Sequence, residues 1–294
     1  MKPARTCFLP LLSILLAGLP TGLHAATITA GFDGGNSTAT VDAWTGMAGV
    51  GWVGAWIDSR SSNVMETTLV TSANPLRSGS GNYLATTFTA SGGSGEKFAN
   101  VARIASSSTL DYARPVVISC LFRPEGSTIQ STSTYYRFIL NNNAVELSTG
   151  GNNLFVITGG SSASPNWVFS GRTEGGGTTG MAVDSGIAVV TDHVYSFTFT
   201  LDIASKSFLA TVTDLDTAAS FTTPAPVFYR YGGAVGNLAL EFGAYMASAT
   251  SGAISFSIDD ISVSTGAIPE PATGAILGSA AVLLIAALFR HCQR

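Results

Sequence analysis

The chain has 294 residues, with 14 Lys and Arg against 18 Asp and Glu and a formal net charge of −4. Only 11% of it is charged, 46% is hydrophobic, and 33 glycines sit among 3 cysteines and 3 histidines. So acidic and charge-poor a chain neutralises neither a phosphate backbone nor an anionic headgroup, which excludes nucleic acid and lipid surfaces as partners of its central domain.

The N-terminus reads as a secretory signal peptide, residues 1–25. Lys2 and Arg5 precede an apolar stretch from Phe8 to Leu19, and Leu23-His24-Ala25 offers small-residue cleavage after Ala25. Export places the remainder in an oxidising compartment, but Cys120 is the one cysteine between the two ends, so no internal disulfide forms there. His193 is the one histidine in that span, too few imidazoles and thiolates for zinc. Setting aside Lys2, Arg5, Arg290, Arg294 and Glu270 leaves ten bases against seventeen acids, a charge near −7.

Residues 26–265 read as one all-β domain. Period-two alternation, which puts successive side chains on opposite faces of a strand, recurs along this span and helical periodicity does not. Val116, Ile118, Cys120 and Phe122 form one apolar row, and Tyr136, Phe138 and Leu140 another. Tyr195, Phe197, Phe199, Leu201 and Ile203 alternate with polar residues, and Phe208, Ala210 and Val212 return after a turn at Ala204-Ser205-Lys206. Leu238, Leu240, Phe242 and Met246 make a further row. Breaks such as Asn141-Asn142-Asn143, Gly150-Gly151-Asn152 and Gly175-Gly176-Gly177 read as turns. Many short strands at this spacing predict a two-sheet antiparallel β-sandwich. Cys120, in a buried row, reads as a core hydrophobe and not a nucleophile.

Several segments resemble concanavalin A-like jelly rolls, a family that includes laminin-G-like modules, lectins and β-glucanases. They are Gly31-Phe32-Asp33, Trp44-Thr45-Gly46-Met47, Gly51-Trp52-Val53-Gly54-Ala55-Trp56, Gly81-Asn82-Tyr83-Leu84 and Phe256–Val263. The resemblance implies a sandwich with a carbohydrate-binding or glycan-active history. Retaining hydrolysis needs two carboxylates about 5 Å apart, and no Glu-x-Asp-x-(x)-Glu run supplies them. Glu66, Glu96, Glu125, Glu146, Glu174 and Glu241 stand singly and read as solvated charges or strand-edge guards. Asp192-His193 lacks a Gly-x-Ser-x-Gly partner and reads as a turn. No catalytic residue is assigned.

Binding chemistry has more to work with. Trp44, Trp52, Trp56 and Trp167 are candidates to stack on sugar rings, with Asn141–Asn143 and Asn152–Asn153 to meet hydroxyls; as an alternative, the tryptophans plug the sandwich core. A surface cluster of Trp or Tyr rings beside Asn or Asp would mark a lectin, and a cleft with two carboxylates from distant strands a hydrolase. Ile254, Phe256 and Ile258 share one parity and Ile261 and Val263 the other, so a β-bulge is expected at Asp259-Asp260. Those two carboxylates, with Asp33, are also candidate ligands for structural calcium.

Residues 266–294 close the chain with Pro269-Glu270-Pro271, an uncharged stretch over 272–289 and the basic end Arg290-His291-Cys292-Gln293-Arg294. As a helix, 272–289 reaches about 27 Å, just short of a hydrocarbon core of about 30 Å. Arg290 and Arg294 place the C-terminus in the cytoplasm. Hydropathy alone gives a plain anchor. The order of Pro269-Glu270-Pro271, apolar helix and Arg-bearing end closely resembles the PEP-CTERM sorting signal of Gram-negative bacteria. That resemblance implies an exosortase and the secretion machinery as partners, transient anchoring in the inner membrane, and release to the cell surface or medium. The expected protein is therefore an exported β-sandwich with a non-catalytic adhesive or structural role, touching extracellular polysaccharide.

Overall fold

The computed structural model describes residues 26–32, 50–77, 81–93, 95–126, 133–145, 152–174, 177–247 and 251–265. Ala25, Asp33, Trp44, Pro269, Glu270, Pro271 and the apolar 272–289 lie outside the described residues. Among the described residues no helix is long and apolar enough to cross a membrane.

Sixteen strands carry the described chain: β1 (Thr27–Ala30), β2 (Ile57–Arg60), β3 (Val64–Thr71), β4 (Tyr83–Ser91), β5 (Lys97–Ala105) and β6 (Val116–Pro124). β7 (Tyr135–Asn142), β8 (Asn153–Gly159), β9 (Asn166–Arg172), β10 (Gly180–Ala188), β11 (Tyr195–Asp202) and β12 (Ser207–Asp214) follow. β13 (Ser220–Thr222), β14 (Val227–Phe228), β15 (Leu238–Met246) and β16 (Ser251–Thr265) complete the set. One layer runs β2-β5-β15-β7-β8-β9, with β10 beyond; the other runs β12-β11-β6-β16-β4-β3, with β13 on β12 and β1 on β16. The short β14 pairs with both β12 and β9 and joins the layers along one side. All these pairings are antiparallel, as hairpins and long return connections allow.

The alternating rows explain why these segments pair in this register. Phe197, Phe199 and Leu201 of β11 lie opposite Cys120, Ile118 and Val116 of β6, and all six are buried. Phe138 meets Phe199 at 5.1 Å between ring centroids, and Phe155 meets Phe208 at 4.4 Å, so rings from the two layers interdigitate. A one-residue slip of either strand would turn its whole row outward, each large side chain forfeiting about 1.5–3 kcal/mol of burial. Cys120 is 2% exposed, and burial pushes its thiol up, which keeps it protonated. The turn after Asp202 falls at Ala204–Lys206, where Asp202 accepts from the amides of Ala204 and Ser205.

The described tryptophans belong to this core and not to a surface. Trp52, Trp56 and Trp167 are 5%, 3% and 2% exposed, so their indole faces are covered by protein and unavailable to a sugar. Trp167 packs edge-on against Phe122 and Phe197. Trp52 donates its indole N–H to Thr29 O at 3.0 Å, and the buried Arg103 guanidinium lies 4.6 Å from its ring centre and 5.8 Å from that of Trp56. Gly51 makes the approach to β1 possible: it has φ +82°, and a Cβ there would lie 2.6 Å from Ile28 Cγ1.

Away from the core, the second layer is lined with hydroxyls. Thr222, Thr211, Thr198, Ser119, Ser262 and Thr29 align in one row across β13, β12, β11, β6, β16 and β1. No residue of that row carries charge.

Candidate functional site

The outward face of the first layer carries a different chemistry. Register sets Asn100 of β5, Gly243 of β15 and Arg137 of β7 side by side, with Ala102, Glu241 and Ile139 in the next row. Asn153 Nδ2 donates to Asn141 Oδ1, and Asn141 Nδ2 donates to Glu241 Oε1. From the other side Asn100 Nδ2 donates to Glu241 Oε2 at 2.8 Å, and Arg137 Nε donates to Asn100 Oδ1 at 3.0 Å. One relay thus crosses β8, β7, β15 and β5. Gly243 is required under it, because a Cβ there would lie 2.3 Å from Asn100 Oδ1.

All five relay residues are buried, at 0–1% exposure. Glu241 is therefore not the solvated charge its isolation in the sequence suggests; two amide donors satisfy it, as a buried carboxylate demands. Asn141 and Asn153 are likewise committed inside the protein. Burial pushes the Arg137 guanidinium down to about 10, and the nearby Glu241 carboxylate opposes that shift. The guanidinium stays charged at neutral pH and pairs electrostatically with Glu241.

The next row along the same face is aromatic. Phe98, Tyr245 and Tyr135 lie side by side on β5, β15 and β7, and each is half-buried. Tyr135 and Tyr245 stack at 4.9 Å and 17°, and Phe98 meets Tyr245 edge-on at 5.1 Å. Arg137 sits 4.8 Å from the Phe98 ring centre, so the relay buttresses the platform from one side. Tyr245 Oη donates to Glu96 Oε1 at 2.7 Å. Burial and then Glu96 push the Tyr245 hydroxyl up to about 12, so it remains a donor at neutral pH. The rings form one aromatic row with the Tyr245 hydroxyl and the Glu96 carboxylate at its margin. Sequence reasoning missed it because Tyr245 lies more than 100 residues from Tyr135 and Phe98 and the row shares no motif.

The bulge expected at the acidic pair is present: register along β16 against β6 shifts between Asp259 and Ser262, and Asp260 takes φ +49°. Its calcium ligands do not assemble among the described residues. Asp260 Oδ2 is 2.6 Å from Arg77 Nη2, a cation already at that carboxylate, and Asp259 is 1% exposed beside Leu121 in the small cluster with Leu76, Tyr83 and Val194. No third acidic or imidazole ligand among the described residues gathers with them. The groups that do gather are His193, Asp214 and Asp216, within 4.8 Å of one another. His193 Nδ1 is 2.9 Å from Asp214 Oδ2; Asp214 Oδ1 accepts from the Asp216 and Thr217 amides, and Asp216 Oδ2 accepts from Val194 N. These bonds tie the turn before β11 to the turn after β12, which explains the cluster without an ion.

Asp58 of β2 and Glu66 of β3 lie near one another, each bonded to Arg60 Nη1, at 3.2 and 3.3 Å. Burial and then Asp58 push the Glu66 carboxyl up, while Arg60 pulls it down. A guanidinium held between two carboxylates stands where a glycosidic oxygen would have to enter.

No family model matches the chain, and no curated protein does. Among solved structures it is similar to a protein of unknown function from Shewanella oneidensis, at 15% identity, covering 90% of this chain and 96% of that one, with a TM-score of 0.44. It is also similar to lectin II from Ulex europaeus, at 9% identity over 71% of this chain and 97% of that one, with a TM-score of 0.42. An alginate lyase from Klebsiella pneumoniae shares 6% identity over 67% of this chain and 84% of that one, with a TM-score of 0.46. Likeness this distant carries no argument about ligand or reaction.

Proposed function

We propose that the chain is an exported, non-catalytic adhesive β-sandwich of concanavalin A-like jelly-roll type, which holds extracellular carbohydrate on the Phe98–Tyr135–Tyr245 platform. The observation that carries this reading is the stacked Tyr135–Tyr245 pair, half-buried and flanked by Phe98, whose ring centre lies 4.8 Å from Arg137. Preorganised rings bind with little loss of side-chain freedom, which favours affinity. The relay beside it serves as a rigid support and not as a reacting group, since Glu241 has both oxygens occupied by amides. Arg60 between Asp58 and Glu66 weighs against a hydrolase where the β2 and β3 edges of the two layers approach. Export by the N-terminal segment and exosortase recognition of Pro269-Glu270-Pro271 complete the reading, with the protein held briefly in the inner membrane before reaching the cell surface or medium.

The test is retention of the full chain on a printed glycan array, compared with Tyr245→Ala. Affinity for the retained glycan should drop at least tenfold, about 1.4 kcal/mol, with the melting transition preserved. Retention by no glycan, or equal retention of both proteins, overturns the proposal.

A further inference from the structure

The second layer holds a cleft on its own outward face, of about 360 Å³, within the range of small-ligand sites. Thr67 of β3, Thr87 of β4 and Ser255 of β16 align across three strands by register, and Thr87 Oγ1 lies 2.9 Å from Ser255 Oγ. Leu69 and Ala85 form an apolar patch beside these hydroxyls. Glu125, just past β6, closes one side.

Glu125 is a positioned carboxylate. Arg123 donates to its Oε1 from Nε at 3.0 Å and from Nη2 at 2.8 Å, and Ser257 donates its hydroxyl to the same oxygen at 2.5 Å. Arg123 is itself 3% exposed, fixed by a bond from Nη1 to Asn74 O at 2.8 Å and by its place 5.3 Å from the Tyr83 ring centre. Three bonds on one oxygen fix the plane of the carboxylate and aim its edge. Charge-assisted acceptors of this kind are the strong partners for paired hydroxyl donors.

We infer that this cleft is a second carbohydrate site, selective for uncharged sugar, on the opposite face of the sandwich from the tyrosine platform. A sugar ring offers adjacent hydroxyls along one edge and C–H groups on its faces. The Glu125 carboxylate and the Thr67, Thr87 and Ser255 hydroxyls match the edge, while Leu69 and Ala85 match a face. Selectivity follows from charge. Arg123 is spent on Glu125 and no other cation lines the cleft among the described residues, so a uronate would find no cation there to offset the desolvation of its charge. The hydroxyl row farther along this layer is uncharged as well, so nothing on it recruits an anionic chain. With both sites filled, one domain links two glycans, which is how a small adhesive protein cross-links a matrix. The inference needs only the saccharide class of the proposed function, not the platform.

The experiment uses the full chain carrying Tyr245→Ala, which disables the platform, on an array of neutral gluco-, galacto- and manno-oligosaccharides and of uronate oligosaccharides. Residual retention on neutral sugars is expected. Adding Glu125→Gln, or separately Thr87→Val, which keeps the shape and removes the hydroxyl, should lower that affinity at least tenfold with the melting transition retained. Absence of neutral-sugar retention in the Tyr245→Ala chain, preference for uronates, or indifference to both added substitutions overturns the inference. If the native chain binds and Tyr245→Ala abolishes all of it, the platform stands and the cleft falls. If Tyr245→Ala changes nothing while Glu125→Gln and Thr87→Val do, the cleft stands and the platform falls.

Discussion

Asp214 shows how much a single side chain organises at one end of the sandwich. Its carboxylate is buried, which pushes the group up, yet bonds from His193, Thr217 and the amides of Asp216 and Thr217 outweigh that and hold it below the usual carboxylate range. A carboxyl depressed in the folded state binds its proton less readily there than when unfolded. The stability it contributes is therefore complete above the unfolded value of about 3.9 and is lost as pH falls through the lower folded value. Asp214→Ala should cost about 1–3 kcal/mol near neutral pH by stranding two amides and the imidazole. Asp214→Asn should flatten the acid limb of the stability profile while keeping acceptors for the amides. Urea melts between pH 2.5 and 7 read both effects; parallel profiles for the native protein and Asp214→Asn would refute the assignment. The adjacent Asp192-His193 pair looks like a plain turn in the sequence, because its partners Asp214 and Asp216 follow more than twenty residues later.

At the scale of elements, the bulge in β16 separates two demands on one strand. It must keep Ile254, Phe256 and Ile258 inward against one stretch of neighbours and Ile261 and Val263 inward against the next. One extra residue resolves the conflict of parity, and Asp260 absorbs it at φ +49°. Asn tolerates that left-handed conformation and a β-branched residue does not. Asp260→Asn should thus cost no more than about 1 kcal/mol, the scale of the exposed Arg77 pair, and Asp260→Val about 1–3 kcal/mol more through backbone strain. Melts in millimolar calcium and in chelator should coincide; a calcium-dependent rise lost in Asp260→Asn would restore a metal at the bulge. This parity switch was legible in the sequence, as were β6, β7, β11, β12, β15 and the Ala204–Lys206 turn, because their apolar rows are buried. β5 was not, since Lys97 and Arg103 occupy inward positions and Asn100 a covered outward one. Glu241 was misplaced, and the tryptophans were left open between a sugar surface and the core, for a related reason. Whether a lone charge finds amide partners, or an indole a cover, is decided by strands distant in the sequence, and no local pattern records it.

For the molecule as a whole, the two ends of the sandwich domain meet. Thr265, the last residue of β16, donates its amide to Ala26 O at 3.1 Å, and β1 pairs from Thr27 to Ala30 with Ser264 to Ile261 of that same strand. Cleavage after Ala25 would leave a first residue already bonded into the sheet, and cleavage near Pro269-Glu270-Pro271 would fall a few residues past the last strand pair. The strand pairings of β1 and β16 all join residues that lie between the two cut points. In its native host the exported protein should accordingly begin at Ala26 and end near residue 271. Its melting temperature should match that of a chain expressed as residues 26–271. Intact-mass measurement of the secreted form reads both boundaries at once. An exported protein that still carries Arg294 would remove exosortase processing and leave a simple anchor, whereas a trimmed protein that melts well below the 26–271 chain would show that the released form is altered in some further way.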